Sequence, residues 1–136
     1  MTVVLATKKE LNLILALENI SFTKADGLLS KRALLYHLNK KRVFCLKENG
    51  EVLGYALVLP RKIDRIYSFC IHPKARGKGL AKELLSFLTS KFKKLRLEVR
   101  VENAKALKLY ESFGFRIVKR VKEFYLDGQD AYIMKN

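Results

Sequence analysis

The stretch from Phe69 to Leu85, FCIHPKARGKGLAKELL, decides the fold that this sequence predicts. Its first residues are apolar and β-prone. Pro73 keeps the residue before it out of the helical region, so a strand should end there. Leucines then recur at helical spacing from Leu80, which predicts a helix. Between the strand and the helix, residues 76–79 form a basic loop that contains two glycines.

This loop has the features of an anion site. Backbone N–H groups at the start of a helix attract phosphate, and glycines let a ligand approach the backbone closely. The side chains of Arg76, Lys78 and Lys82 add full positive charge. However, the loop lacks the GxxxxGK[ST] pattern of a P-loop, and a strand, turn and helix also occur as a plain connector. From this stretch alone both interpretations stand.

The composition is that of a globular protein. With 136 residues, 49% of them hydrophobic and 30% charged, we expect one domain over residues 1–136. The sequence has no apolar run of about eighteen residues and its start does not resemble a signal peptide, so we expect a cytoplasmic protein without a membrane span. Cys45 and Cys70 lie outside any CxxC motif, and we expect no metal site.

The net charge of +15 is unusual for this length. It favours a polyanionic partner such as a polyphosphate ligand, RNA or a ribosome. A generally basic, lysine-rich proteome would give the same balance. The charge alone does not decide between these two explanations.

The order of predicted elements is β-α-α-β-β-β-α-β-α-β-β, which indicates an α/β domain on a mixed sheet. Residues 95–101 alternate apolar and polar, as expected for a half-buried strand. Asn103 is placed to cap a helix over residues 104–112, and Gly114 to end it. After this helix, residues 115–125 read as one long strand and residues 131–134 as the last one.

Three polar residues near this strand and helix have both a structural and a functional interpretation. Glu98 stands between two arginines, either as a solvated carboxylate or as a base at the end of a sheet. Tyr110 either packs in the core or turns its hydroxyl toward a cleft. Asn103 either caps its helix or also touches a ligand. Neither His37 nor His72 has a partner at the spacing of a catalytic triad, so nothing supports a covalent nucleophile.

Two motifs resemble a known family. Residues 76–81, RGKGLA, resemble the acetyl-CoA signature of the GNAT acetyltransferases, Arg/Gln-x-x-Gly-x-Gly/Ala. Residues 97–115, LEVRVENAKALKLYESFGF, and the tail with DG and DAYIM are similar to the RimI-type ribosomal-protein-alanine N-acetyltransferases. The resemblance implies a GNAT-like α/β fold with a mixed, mostly antiparallel sheet of about six to seven strands flanked by about four helices.

The resemblance also implies a site. Acetyl-CoA would be the co-substrate, and no metal would be needed. Glu98 would be the general base that deprotonates the acceptor amine, and Tyr110 the general acid that protonates the departing thiolate. The residues implied to bind the cofactor are Phe69, Cys70, Ile71, Arg76, Gly77, Lys78, Gly79, Leu80, Ala81, Lys82 and Asn103.

The implied acceptor is a protein N-terminal α-amine, with ribosomal-protein alanine as the family default. Residues 20–27, where the family builds part of the acceptor groove, match the pattern poorly. The alternatives are an acetyltransferase acting on a small amine or a lysine side chain, and a non-enzymatic basic module that binds RNA or ribosomes. We expect a monomer or weak dimer that does not bind membranes.

Overall fold

The structure is a computed structural model that describes residues 2–136. It contains seven strands and four α-helices. The strands are β1 (Thr2–Leu5), β2 (Val43–Glu48), β3 (Glu51–Leu59), β4 (Asp64–Ile71), β5 (Leu95–Arg100), β6 (Arg116–Val121) and β7 (Ala131–Lys135). The helices are α1 (Leu11–Ser21), α2 (Lys31–Asn39), α3 (Leu80–Lys91) and α4 (Ala104–Ser112).

The strands form one sheet in the order β1-β2-β3-β4-β5-β7-β6. All neighbouring strands are antiparallel except β4 and β5, which are parallel and are connected through α3. The expected fold class is therefore confirmed. No helix within residues 2–136 is both long enough and apolar enough to cross a membrane.

Apolar residues cover both faces of the central sheet. On one face, α3 and α4 pack against β2–β5 through residues such as Leu84, Leu88 and Leu97. On the other face, α1 and α2 pack through residues such as Ile14 and Leu34. Because side chains alternate along a strand, the polar residues of β5 point to the α1–α2 face while its leucines and valine point to α3 and α4.

The prediction of one long strand over residues 115–125 was wrong. The strand β6 ends at Val121, and Glu123 has a φ of 51°. The Glu123 N–H donates to Asp130 Oδ1 at 2.9 Å, which stabilises a turn where the sequence pattern continues as a strand. Beyond this point the backbone no longer follows β7. Instead, the Leu126 N–H donates to the carbonyl of Ala25, far away in the sequence.

Strand β6 forms one edge of the sheet. It is exposed along nearly its whole length, including Ile117 and Val118. Its register with β7 shifts between Ile117 and Lys119, so Val118 has no directly opposed partner. This shift is a β-bulge, which bends and twists the edge locally.

Strands β4 and β5 diverge after a short paired segment. Their pairing covers only Asp64–Leu95, Arg65–Arg96 and Ile66–Leu97. The register between β3 and β4 shifts at this point. Ile66 lies opposite Val58 and Ser68 lies opposite Leu57, so Tyr67 is an extra residue on β4. Residues 68–71 then pair with β3 on one side and, within residues 2–136, with no strand on the other. The two parallel strands thus open a V-shaped gap.

Gly54 allows β3 to pack closely against the end of β4. A Cβ atom at this position would lie 2.6 Å from Ile71 Cδ1 and 3.0 Å from the Cys70 carbonyl oxygen. Both distances are shorter than an ordinary van der Waals contact. A larger residue would therefore push the end of β4 away from β3.

We expect Gly54→Ala to lower the free energy of unfolding by about 1–3 kcal/mol, as overpacking of a core does. Ile71→Val removes the Cδ1 atom in the closer contact and leaves the carbonyl contact. The double variant should therefore recover part of the loss, measured as a coupling energy in urea denaturation. Strictly additive effects of the two substitutions would contradict this explanation.

Candidate functional site

A cavity with a volume of about 960 Å³ lies in the gap between β4 and β5. The residues lining it include nearly all of the predicted site: Phe69, Cys70, Ile71, Arg76, Gly77, Gly79, Leu80, Ala81, Lys82, Glu98, Asn103 and Tyr110. The fold thus brings together residues from β4, the basic loop, α3, β5 and α4. We refer to this cavity as the cleft.

The glycine loop fits an anion. Gly77 and Gly79 have φ values of 81° and 76°, a backbone region that favours glycine. No heavy atom would lie within 4 Å of a Cβ at either position, so the space beside both residues is open. Gly79 directly precedes α3, whose first turn presents free backbone N–H groups. Together with the exposed basic residues Arg76 and Lys82, these backbone groups could hold an anion.

Lys78 differs from the other predicted loop residues. Within the described part of the chain it does not line the cleft but a separate cavity of about 190 Å³. That small cavity is also lined by Glu48, Glu51 and Lys74. The side chain of Lys78 therefore contributes to a different surface from Arg76 and Lys82.

The Glu98 side chain is only 6% exposed, and both of its carboxylate oxygens accept hydrogen bonds. Arg65 Nε donates to Oε1 at 2.7 Å, and Arg96 Nη2 donates to Oε2 at 3.1 Å. Glu98 is thus not the solvated carboxylate that was one interpretation of the alternating pattern of residues 95–101. The two arginines therefore fix the orientation of this carboxylate.

Tyr110 is 8% exposed and packs edge-on against two aromatic rings. Its ring centroid lies 6.1 Å from that of Phe69 and 5.8 Å from that of Phe115. Burial is the main reason why the pKa of Tyr110 lies well above its usual value, and the nearby Tyr125 and Cys70 raise it further. The phenol therefore keeps its proton at neutral pH.

Asn103 caps α4 and also lies at the cleft. Its Oδ1 accepts a hydrogen bond from the Ala106 N–H at 3.1 Å, which caps α4. It also lines the cleft. The cap therefore fixes this amide at the edge of the cavity.

A cysteine nucleophile is not supported by the site. Burial raises the pKa of the Cys70 thiol to about 12, so it stays protonated and inert at neutral pH. Within residues 2–136, no group of three His, Cys, Asp or Glu side chains is placed to hold a metal ion.

Sequence reasoning missed Glu18, a buried carboxylate that lines the cleft. It is 2% exposed, and burial raises its pKa. It accepts hydrogen bonds from the hydroxyl of Tyr55 and, at 3.0 Å, from the Leu29 N–H. The available signal was a lone acidic residue in the otherwise apolar run LILALENI.

Sequence reasoning also missed the polar groups of two loops. Asp26 lies between α1 and α2, and Tyr125 between β6 and β7, yet both line the cleft. They meet there because Arg100 on β5 contacts both. Contacts between such distant segments leave no periodic signal in a sequence.

The family model of the acetyltransferase (GNAT) family matches residues 11–115. An N-alpha-acetyltransferase of Sulfurisphaera tokodaii is 31% identical over 112 residues, which cover 67% of this chain and 66% of that protein. The alignment thus spans slightly less than two thirds of that relative. The ribosomal protein bS18 alanine N-acetyltransferase of Escherichia coli is 34% identical over 100 residues, covering 67% of this chain and 68% of that protein.

A solved structure gives the same result for the fold. The crystal structure of the ribosomal-protein-S18-alanine N-acetyltransferase from Escherichia coli is similar with a TM-score of 0.84 and 26% identity, over 98% of this chain and 91% of that chain. The match over residues 11–115 covers more than half of the sequence and includes the glycine loop, Glu98 and Tyr110. This chain therefore belongs to the acetyltransferase (GNAT) family.

Proposed function

We propose that this chain transfers the acetyl group of acetyl-CoA to the N-terminal α-amine of a protein. The observation that carries the proposal is the cleft, where the glycine loop, Glu98 and Tyr110 all line one cavity between diverging strands. Family membership and the names of the relatives over two thirds of this chain support the same reaction.

The cleft offers matching groups for each part of the co-substrate. The loop from Arg76 to Lys82 provides N–H groups and positive charge for the diphosphate. The free edge of residues 68–71 provides backbone groups for an extended, amide-containing arm. Bound acetyl-CoA would supply an activated acetyl thioester. Backbone N–H groups beside its carbonyl would stabilise the negative charge that develops there.

Glu98 acts as the general base in this proposal. An α-amine attacks only when neutral, so a base must remove a proton from the ammonium. Because both oxygens of Glu98 already accept hydrogen bonds from arginines, we assign the transfer to Glu98 through a water molecule. The two arginines hold the carboxylate in one orientation for this step.

Tyr110 is the proposed donor for the departing sulfur. Its raised pKa keeps the phenol protonated, the state that a donor requires. A thiolate of ordinary pKa, about 8.5, is a weaker base than the phenolate of this residue. Full proton transfer is therefore uphill, and we infer that Tyr110 contributes mainly a hydrogen bond as the negative charge on sulfur develops.

An alanine N-terminus of a ribosomal protein is the first acceptor to test. The Escherichia coli relative is named for that substrate. The net charge of +15 would favour the approach to an RNA-rich particle in the cytoplasm. The same charge would repel free polyamines.

The reaction is tested by incubating the chain with acetyl-CoA and a panel of acceptors, followed by mass spectrometry. The panel contains peptides beginning with Ala, Ser and Met, an N-terminally blocked peptide with internal lysine, and a polyamine. We expect a mass gain of one acetyl group on free peptide N-termini and none on the blocked peptide. Acetylation of the blocked peptide or the polyamine alone would contradict the proposal.

We expect Glu98→Gln to lower turnover by about 10²- to 10⁴-fold, because the base is lost while the size of the side chain is kept. Glu102→Gln, at an exposed position next to the site, is the matched control and should retain full turnover. Thermal melting of both variants tests whether the fold is intact. Unchanged turnover of Glu98→Gln would rule out this residue as the base.

For Tyr110→Phe we expect a smaller loss of turnover, about ten- to a hundredfold, because one hydrogen bond to a developing charge is removed. The matched control is Tyr36→Phe on the exposed surface of α2. Since the pKa of Tyr110 is raised, its ionisation should not lower the rate between pH 7 and about 10. If the rate of the wild type declined between pH 7 and about 10 and this decline disappeared in Tyr110→Phe, the assignment would be contradicted.

A further inference from the structure

Arg100 at the end of β5 joins two loops that are distant in sequence. Its Nη2 and Nε donate to Asp26 Oδ1 at 2.5 and 3.0 Å. Its Nη1 donates to Asp127 Oδ2 at 3.1 Å. Asp26 belongs to the loop of residues 22–29 after α1, and Asp127 to the loop of residues 122–130 between β6 and β7.

Two further contacts close the same junction. The guanidinium of Arg100 lies over the ring of Tyr125, with its carbon 4.0 Å from the centroid. In addition, the Leu126 N–H donates to the carbonyl of Ala25 at 3.2 Å. The Arg100 side chain is 26% exposed, so these contacts are partly shielded from water. We call this set of contacts the Arg100 junction.

Asp26 is also held by hydrogen bonds that do not involve Arg100. The Thr23 N–H and hydroxyl both donate to Asp26 Oδ2, at 2.9 and 3.1 Å. Burial opposes the charge on Asp26, but these bonds and Arg100 outweigh it and lower the pKa of Asp26. Asp26 therefore stays ionised at neutral pH and retains its attraction to Arg100.

The junction lies on the same side of the sheet as Glu98, the proposed base for the acceptor amine. Glu98 and Arg100 are two residues apart on β5 and so point to the same face, the α1–α2 face. The cofactor loop leads into α3, which packs on the opposite face. Both joined loops line the cleft, through Asp26 and Gly27 on one and Phe124 and Tyr125 on the other.

We propose that Arg100 is a positioning residue that holds residues 22–29 and 122–130 together as the wall of the acceptor entrance. This inference rests on the proposed function, and it assigns to Arg100 a role in binding an extended protein N-terminus. Arg100 does not take part in the chemistry. Its loss should separate the two loops and weaken acceptor binding while leaving the cofactor side of the cleft in place.

An arginine is suited to this role because its planar fork bonds two carboxylates and stacks on an aromatic ring at the same time. A lysine carries the same charge but offers one compact ammonium group. Arg100→Lys therefore keeps the charge but loses the simultaneous contact with two carboxylates and a ring. Its KM for the acceptor peptide should lie between that of the wild type and that of Arg100→Ala.

The test compares Arg100→Ala, Arg100→Lys and the control Arg120→Ala. Arg120 also forms an ion pair with an aspartate, Asp130 at 2.8 Å, but does not contact residues 22–29. For Arg100→Ala we expect the KM for the acceptor peptide to rise about ten- to a hundredfold, as when hydrogen bonds to charged groups are lost. The KM for acetyl-CoA should change less than about twofold, within the range of a surface substitution.

Hydrogen exchange supplies a readout that does not depend on activity. We expect faster exchange of amides in residues 22–29 in Arg100→Ala and unchanged exchange there in Arg120→Ala. Equal increases in both KM values, or unchanged exchange in residues 22–29, would overturn the inference. If the wild type acetylates no peptide, the proposed function fails and the acceptor role fails with it, whereas the exchange data still decide whether Arg100 joins the loops.

Discussion

The separation of β4 from β5 is the constraint on which the rest of the structure depends. Only three residue pairs connect these parallel strands, and the extra residue Tyr67 then changes the register of β4 with β3. Unpaired backbone groups of a strand are costly to bury, so this edge of β4 needs other hydrogen-bond partners. The glycine loop, the start of α3 and the polar face of β5 all border this opening.

The groups around the opening have structural partners that also orient them. Glu98 is bonded by Arg65 and Arg96, and Asn103 caps the helix that carries Tyr110. In each case a contact that explains the fold also fixes a polar atom in the cleft. A structural interpretation of such a residue is therefore no argument against a functional one.

The sequence predicted local features well and distant contacts poorly. The Asn103 cap and the alternation on β5 depend on neighbouring residues, and the structure contains both. The turn after Val121 depends on Asp130, and the burial of Glu18 depends on Tyr55 and Leu29. The contacts of Glu18 join segments whose proximity follows only from the complete fold, as does the position of Lys78 outside the cleft.

The exposed edge strand β6 has a consequence for self-association. Unpaired edges that carry aliphatic side chains are templates for strand addition and aggregation. Here Ile117 and Val118 are flanked by Arg116, Lys119 and Arg120, and the bulge at Val118 interrupts the row of free hydrogen-bonding groups. A second copy approaching this edge would bring like charges together and meet a distorted template. The charges and the bulge therefore both oppose strand addition at this edge.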